Sequence, residues 1–170
     1  MLTISRVRKA RPADEEELME LCRDLWLENA LFNMNDDKVR AVMHRAFQNE
    51  GAIIGVIRDD DGPIEGAIFL TISTFWYSDD HHIEEYFLYV RPKYRRSHNA
   101  KDLMNFAKRC SDALGIPLVI GVISNHMTKE KVGLYRRQFP NEAGSFFIYN
   151  TVPMANGSVV TGPMQMVASG

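Results

Sequence analysis

The stretch HIEEYFLYVRPKYRRSHNAKDLMNFAKRCSDALGIPLVIGVIS, residues 82–124, restricts the fold more than any other part of the chain. An apolar strand stopped by Pro92 precedes a helix predicted over about 99–114. The helix buries Ala100, Leu103, Met104, Ala107, Cys110 and Leu114 along one stripe and is stopped by Gly115. The run PLVIGVIS that follows is apolar throughout, as expected for a central strand covered on both faces. Strand, helix and strand in that order make a β-α-β unit, whose helix crosses over one face of a sheet.

The segment AIIGVIRDDDGPIEGAIFLTISTFW reads as two antiparallel strands joined by a turn around Asp61 to Pro63. Residues 2–9 alternate Leu2, Ile4 and Val7 with polar neighbours, a short strand signal. In RPADEEELMELCRDLWLEN, Asp14 is the expected N-cap with Glu17 three residues on, and Leu18, Leu21, Cys22 and Leu25 follow at helical spacing. A second helix starts after Asn35 or Asp36 and carries Val39, Val42, Met43, Ala46 and Phe47 on one face. A helix over about Thr128 to Gln138 and the strand SFFIYNTV complete the order β-α-α-β-β-β-α-β-α-β. This is an α/β (α+β) chain with a mixed central sheet flanked by helices. One domain over 1–152 and a loosely attached tail over 153–170 are expected.

At 170 residues the chain is long enough to bury a substantial single core, and its 45% apolar and 25% charged residues are ordinary for a globular protein. A net charge of −2 argues against bulk nucleic-acid binding but leaves room for a local basic site. Cys22 and Cys110 fall on apolar helix faces, which fits buried thiols in a reducing compartment and no metal site. No apolar run reaches membrane-spanning length, and MLTISRVRKARPADEEE lacks a signal-peptide core, so a cytoplasmic protein is expected.

Between Pro92 and Ala100 the chain carries Lys93, Arg95, Arg96 and His98, and no glycine. The N–H groups at the following helix start have no intrahelical partners, and the helix dipole reinforces them, so a phosphate placed there gains charge-assisted hydrogen bonds. On spacing alone the turn reads equally well as a solvated basic loop.

LYVRPKYRRSHNAKDLMNFA resembles the acetyl-CoA-binding segment of the GCN5-related N-acetyltransferases, the GNAT superfamily: an apolar strand, a Pro-containing turn, then Arg/Gln-Gly-x-Gly-x-Gly/Ala opening a helix. Arg95 stands at the first position, Arg96 and His98 at two glycine positions, and Ala100 at the last. RKARPADEEELMEL, PLVIGVIS and KVGLYRRQF resemble the family's first strand and helix, fifth strand and last helix. The resemblance implies that Leu88, Tyr89 and Val90 present backbone groups to the pantetheine arm, beside a bulged strand that splays from its neighbour. Arg95, Arg96, Ser97, His98, Asn99, Ala100 and Lys101 would then surround the pyrophosphate of acetyl-CoA, mainly through main-chain N–H groups. This chain departs from the pattern at Arg96, at His98, at Gln138 and at Thr128, which occupies a position where the family often has Asn; nearby Asn125 does not align.

Acetyl transfer to an amine requires a base, an oxyanion donor and an acid for the departing thiolate. The family's tyrosine position falls on Tyr135, the candidate acid; the alternative is a tyrosine packed between helix and sheet. Glu84 and Glu85 are the candidate bases. Strand alternation favours Glu85, which would share a face with Phe87 and Tyr89, unless a bulge intervenes. A solvated acidic pair is the alternative. DDHH, Asp79 to His82, reads as a polar loop, with the hypothesis that its acids attract a cationic acceptor. Phe75, Trp76 and Tyr77 either wall the acceptor pocket or simply pack.

The sequence therefore reads as an N-acetyltransferase moving acetyl from acetyl-CoA directly to a primary amine in a ternary complex. The competing reading is a non-catalytic module of the same fold that binds CoA or a protein partner, and a third is an assembly protein using the Met-rich tail. The acceptor is left unnamed, and SFFIYNTV is the segment expected to pair across a homodimer.

Overall fold

The computed structural model describes residues 6–29, 31–124 and 126–149, together with the backbone of 151–153 and 159–161. Its elements run β1 (Val7–Lys9), α1 (Glu15–Asn29), α2 (Asp36–Phe47), β2 (Ala52–Ile57), β3 (Gly66–Thr74), β4 (His81–Val90), α3 (Asn99–Leu114), β5 (Leu118–Val119), α4 (Thr128–Gln138), β6 (Thr151–Pro153) and β7 (Val159–Thr161). The order matches the expectation from sequence, with β7 added. Two compact units result, Met1–Asp24 with Asn35–Gly121, and Leu25–Met34 with Val122–Gly170.

In the first unit five strands form one sheet in the order β1-β2-β3-β4-β5. The first four are antiparallel neighbours, and β5 lies parallel to β4. Helix α3 covers one face, where Leu103, Phe106 and Ala107 pack with Ile57, Ile68, Leu70, Ile83 and Val90. Each fully buried Leu or Phe there contributes about 1.5–3 kcal/mol. Alternation turns Ile54, Val56, Ala67 and Phe69 to the opposite face, where they are also buried. Gly115, at φ +66°, ends α3 in the left-handed conformation that favours glycine.

Helix α2 is capped as the sequence suggests, with the Asn35 side chain accepting the Lys38 N–H at 3.1 Å. Helix α1 is not. A 3-10 turn over Pro12–Asp14 runs straight into it with Arg11 at the N-cap, so Asp14 is the third helical residue and not the cap. Its carboxylate instead accepts from the Arg11 N–H at 2.7 Å and from both Arg8 terminal nitrogens at 2.7 and 2.8 Å. Glu17 accepts from the Ile64 N–H and pairs with Arg58 at 3.3 Å, tying α1 to the β2–β3 connection.

Two strand expectations need correction. PLVIGVIS is a strand only at Leu118–Val119, which pairs with Ile83 and Glu84 and no further, because β4 changes course just beyond. In the second unit, residues 145–149 of SFFIYNTV have no regular structure, and Phe146, Phe147, Ile148 and Tyr149 are exposed. The strand falls at the end of that run, in β6, whose partner is β7 within the segment expected to be a tail. Residues 2–5 of the first predicted strand, Asn125, and residues 154–158 and 162–170 of the predicted tail lie outside the described residues.

Among the described residues no helix is long and apolar enough to cross a membrane.

Candidate active site

Strand β4 carries a bulge. Phe69 pairs with Phe87, but the next β3 residue, Leu70, pairs with Glu85, so Tyr86 is the extra residue. A bulge bends its strand and interrupts the ladder locally. Pairing with β5 ends at Glu84–Val119, immediately before it. Among the described residues no strand is paired with the Tyr86–Val90 half of β4 on the β5 side. That half, which includes Leu88, Tyr89 and Val90, is where an extended ligand can lie along the strand.

The bulge also corrects the parity expected for the two glutamates. Phe87 stacks on Phe69 at 4.4 Å, on the face opposite α3. Glu84 pairs with Thr71 and lies on that same face with Phe87 and Tyr89, whereas Glu85 pairs with Leu70 and lies on the α3 side. Glu85 does not share a face with Phe87 and Tyr89. Its carboxylate accepts the Gly121 N–H at 3.2 Å, bridging the point where the strands part. Glu84 is half-buried, and its side chain has no hydrogen bond or ion pair with any described residue.

From β4 the chain passes through a 3-10 turn, Pro92–Tyr94, into the loop before α3. The Tyr94 N–H donates to the Arg91 carbonyl, and the Ser97 hydroxyl donates to the Tyr94 carbonyl at 2.5 Å while accepting the Asn99 N–H at 3.2 Å. The backbone N–H groups of Arg96, Ser97, His98, Ala100 and Lys101 have no partner among the described residues. Five amide donors thus cluster at the start of a 16-residue helix, where the dipole favours an anion.

Loss of the glycines at Arg96 and His98 brings no left-handed strain. Among the described non-glycine residues only Asn49 and Met127 have positive φ, and His98 sits at φ −84°. The side chains of Arg96, His98 and Lys101 are exposed, whereas the Ser97 hydroxyl is engaged within the loop. Arg95 behaves differently: its Nε donates to the Val90 carbonyl at 2.9 Å and its guanidinium lies 5.3 Å from the Tyr89 ring centre. It caps the end of β4.

A buried pair that sequence reasoning missed holds this loop. Asn99 and Glu65 are both almost completely buried, and the Asn99 Nδ2 donates to Glu65 Oε2 at 2.5 Å. Arg6 neutralises the other carboxylate oxygen at 3.0 Å. The only sequence signal was an acid set directly before an apolar strand, in DGPIEGAIFL.

In the second unit, α4 begins after Met127, which is left-handed at φ 50°. Thr128 Oγ1 donates to the Ser124 carbonyl at 2.7 Å, so this side chain is committed to fixing the helix start. Lys131 Nζ reaches Asn29 Oδ1 at 2.6 Å and Ser124 Oγ at 2.8 Å, a polar knot with no sequence signal. Tyr135 is half-buried, its ring 6.2 Å from that of Phe139.

Residues 9–139 match the Acetyltransferase (GNAT) family. The chain belongs to that family. Membership makes it an acetyl-CoA-dependent N-acetyltransferase with acetyl-CoA as co-substrate. No curated protein matches the chain. Among solved structures it is similar to AAC(6')-Iy in complex with a bisubstrate analogue, CoA-S-monomethyl-acetylneamine, with a TM-score of 0.65 and 16% identity over 84% of this chain and 94% of that one. It is similar to the aminoglycoside 6'-N-acetyltransferase AAC(6')-IG from Acinetobacter haemolyticus, with a TM-score of 0.62 and 15% identity over 84% and 94% of the two chains. A ribosomal-protein-alanine N-acetyltransferase from Brucella melitensis gives a TM-score of 0.62 and 15% identity over 84% and 97%. At these identities the likeness is one of GNAT fold.

Proposed function

We propose that this GNAT protein transfers the acetyl group of acetyl-CoA directly to a primary amine in a ternary complex. The observation that carries the reading is the set of unpartnered amide donors at Arg96, Ser97, His98, Ala100 and Lys101, lying beyond the half of β4 that has no strand beside it. In this reading the pyrophosphate lies against those amides, with Arg96, His98 and Lys101 adding positive charge, and the pantetheine runs along Leu88, Tyr89 and Val90. The acetyltransferase domain would span 1–152.

The chemistry needs an uncharged amine, because an ammonium with a pKa of about 10.4 is no nucleophile. Glu84 or Glu85 takes that proton, directly or through water, and Glu84 is favoured by its face and by its lack of partners. Nitrogen attacks the thioester carbonyl, a main-chain N–H of β4 serves the oxyanion, and Tyr135 protonates the departing thiolate. Direct transfer fits the state of the thiols. Burial pushes Cys22 up to about 12 and also raises Cys110, so neither supplies a thiolate for an acyl-enzyme. Both cysteines are free, in keeping with a cytoplasmic setting.

The test pairs melting curves with thiol release. Acetyl-CoA at 100 times its Kd should stabilise the fold by about 2.7 kcal/mol, and added primary amines should release CoA thiol. Stabilisation with no thiol release across a broad amine panel would leave a binding module and overturn the reading.

A further inference from the structure

The hairpin tip between β3 and β4 exposes three consecutive aromatic residues. Trp76 is 95% exposed and Tyr77 69%, and Phe75 is exposed beside them. The rings are ordered. His82, Phe75 and Tyr77 form a column, with His82 on Phe75 at 4.4 Å and Phe75 on Tyr77 at 5.7 Å. Trp76 meets Tyr77 edge-on at an interplanar angle of 82°, so the two rings make the sides of an open corner. At the base of the column His82 is 5% exposed, and its Nδ1 is buried with no hydrogen-bond partner.

Asp79 and Asp80, two and three residues beyond Tyr77 in the same turn, are exposed, and neither side chain has an ion-pair or hydrogen-bond partner among the described residues. The turn is held by the Asp80 N–H donating to Ser78 Oγ at 3.0 Å and the Ser78 N–H donating to the Phe75 carbonyl at 3.1 Å. Aromatic faces attract cations, and two unpaired carboxylates add a field of the same preference. An ordered, solvent-facing aromatic patch is also what protein-recognition surfaces present. The rings lie open to solvent, whereas small-molecule sites are concave and enclose their ligand, so the patch fits a chain lying across it better than an enclosed small amine.

We propose that the β3–β4 tip docks a basic polypeptide segment, with lysine or arginine side chains against Trp76 and Tyr77 and beside Asp79 and Asp80. The acceptor is then a lysine-rich protein or peptide. This last step rests on the transfer reading above; the docking itself does not. Register places His82 and Glu84 on one face of β4, so a segment held at the tip leads toward the favoured base.

The experiment uses the whole chain and the emission of Trp76, with Trp26 as the internal background. Titration with a peptide of alternating Lys and Gly should change the emission saturably, and the change should weaken with added salt. Trp76→Phe should abolish it. Asp79→Asn with Asp80→Asn should weaken binding about tenfold. Stabilisation by acetyl-CoA and the melting temperature should stay unchanged in these variants, which excludes misfolding. Binding that persists unchanged in the double variant, or equals that of a Gln/Gly peptide, overturns the proposal. Spermine binding as tightly as the peptide overturns the polypeptide occupant. An emission change that follows protein concentration without peptide assigns the patch to a second copy of the chain and overturns it too. Docking without acetyl transfer to the peptide would keep the site and sink the assignment of the docked chain as acceptor, whereas transfer indifferent to Trp76 would overturn the site and leave the transfer reading standing.

Discussion

Glu65 holds both ends of the loop between β4 and α3, and Asn99 is its partner at the far end: the Asn99 amide donates to the Glu65 carboxylate at 2.5 Å with both groups buried. At the near end the Glu65 carbonyl accepts the Arg91 N–H at 2.9 Å. One residue at the start of β3 therefore fixes where β4 ends and where α3 begins. The spacing between the strand and the helix amides is set by this clamp, with Arg6 neutralising the buried charge.

Glu65→Ala leaves the buried Asn99 amide without its acceptor, while Arg6 keeps Asp59, and should cost about 1–3 kcal/mol of stability, the usual penalty for an orphaned buried polar group. It should also weaken acetyl-CoA binding, with a rise in KM for acetyl-CoA and little change in KM for the amine. Glu65→Gln, which keeps an acceptor for Asn99, should recover much of the affinity. Urea melts and calorimetric titration with CoA read the two effects separately. Undiminished CoA affinity in the Ala variant would show that the loop is positioned by other contacts.

Two glycines make a matched pair of tests. A Cβ at Gly66 would lie 2.7 Å from the Tyr89 carbonyl oxygen, pressing on the backbone of β4 where pantetheine is proposed to run. A Cβ at Gly55 would lie 2.7 Å from the Phe106 ring, inside the core under α3. Both Ala substitutions should destabilise by about 1–3 kcal/mol through overpacking. Only Gly66→Ala should reduce acetyl-CoA affinity measured on the remaining folded protein.

The acid limb of stability depends on Asp14. Burial pushes its carboxyl up, but hydrogen bonds from Arg8 and the Arg11 N–H, together with the charges of Arg8 and Arg58, outweigh burial and hold it below the ordinary carboxylate range. A depressed folded value means stability that is complete above the unfolded value of about 3.9 and is lost as pH falls through the folded one. Asp14→Asn should therefore lower stability by about 1–3 kcal/mol near neutral pH and flatten the loss below about pH 4. Equilibrium urea unfolding from pH 7 down to 3 measures both; parallel curves for the two proteins would show that Asp14 is not the linked group.

Much of the site was legible because it depends on local rules. The stripe from Ala100 to Leu114, Pro92 before it and Gly115 after it are periodicity and backbone chemistry, and α3 runs over Asn99–Leu114 as those residues dictate. The bulge at Tyr86 was not legible, since an extra residue is defined only by the register against Leu70 and Phe69 on another strand. The same limit hid Glu65, whose partners Asn99 and Arg6 are distant in sequence. SFFIYNTV has strand composition, but strands require a partner, and the pairing formed is between Thr151–Pro153 and Val159–Thr161. Arg96 and His98 stand at two glycine positions of the family pattern, yet this loop reaches α3 through a 3-10 turn without positive φ.

Tyr135→Phe isolates the proposed acid. The ring and its contact with Phe139 are retained, so folding should be unaffected. Turnover should fall by about 10²–10⁴-fold, the range for a general acid. CoA affinity should stay within about twofold, because a lost acid acts on the transition state and spares ground-state binding. Activity should recover with a thioester whose thiol is more acidic and needs no proton to leave. Full turnover in the variant would remove Tyr135 from the mechanism.

Glu84 and Glu85 lie on opposite faces of β4, and the bulge at Tyr86 puts Phe87 and Tyr89 on the face of Glu84, so the two Gln variants should differ accordingly. Glu85→Gln keeps an acceptor for the Gly121 N–H and lies on the α3 side, so its effect on turnover should be small. Glu84→Gln removes the carboxylate on the face of Phe87 and Tyr89 and should lower kcat/KM for the amine by about 10²–10⁴-fold. The deficit should shrink as pH rises toward the amine pKa of about 10.4, where the acceptor loses its proton without help. A purely structural defect would show no such recovery with pH. A loss confined to Glu85→Gln would mean that the face set by register is not the one the acceptor uses, and would assign the base to the residue bridging β4 and Gly121.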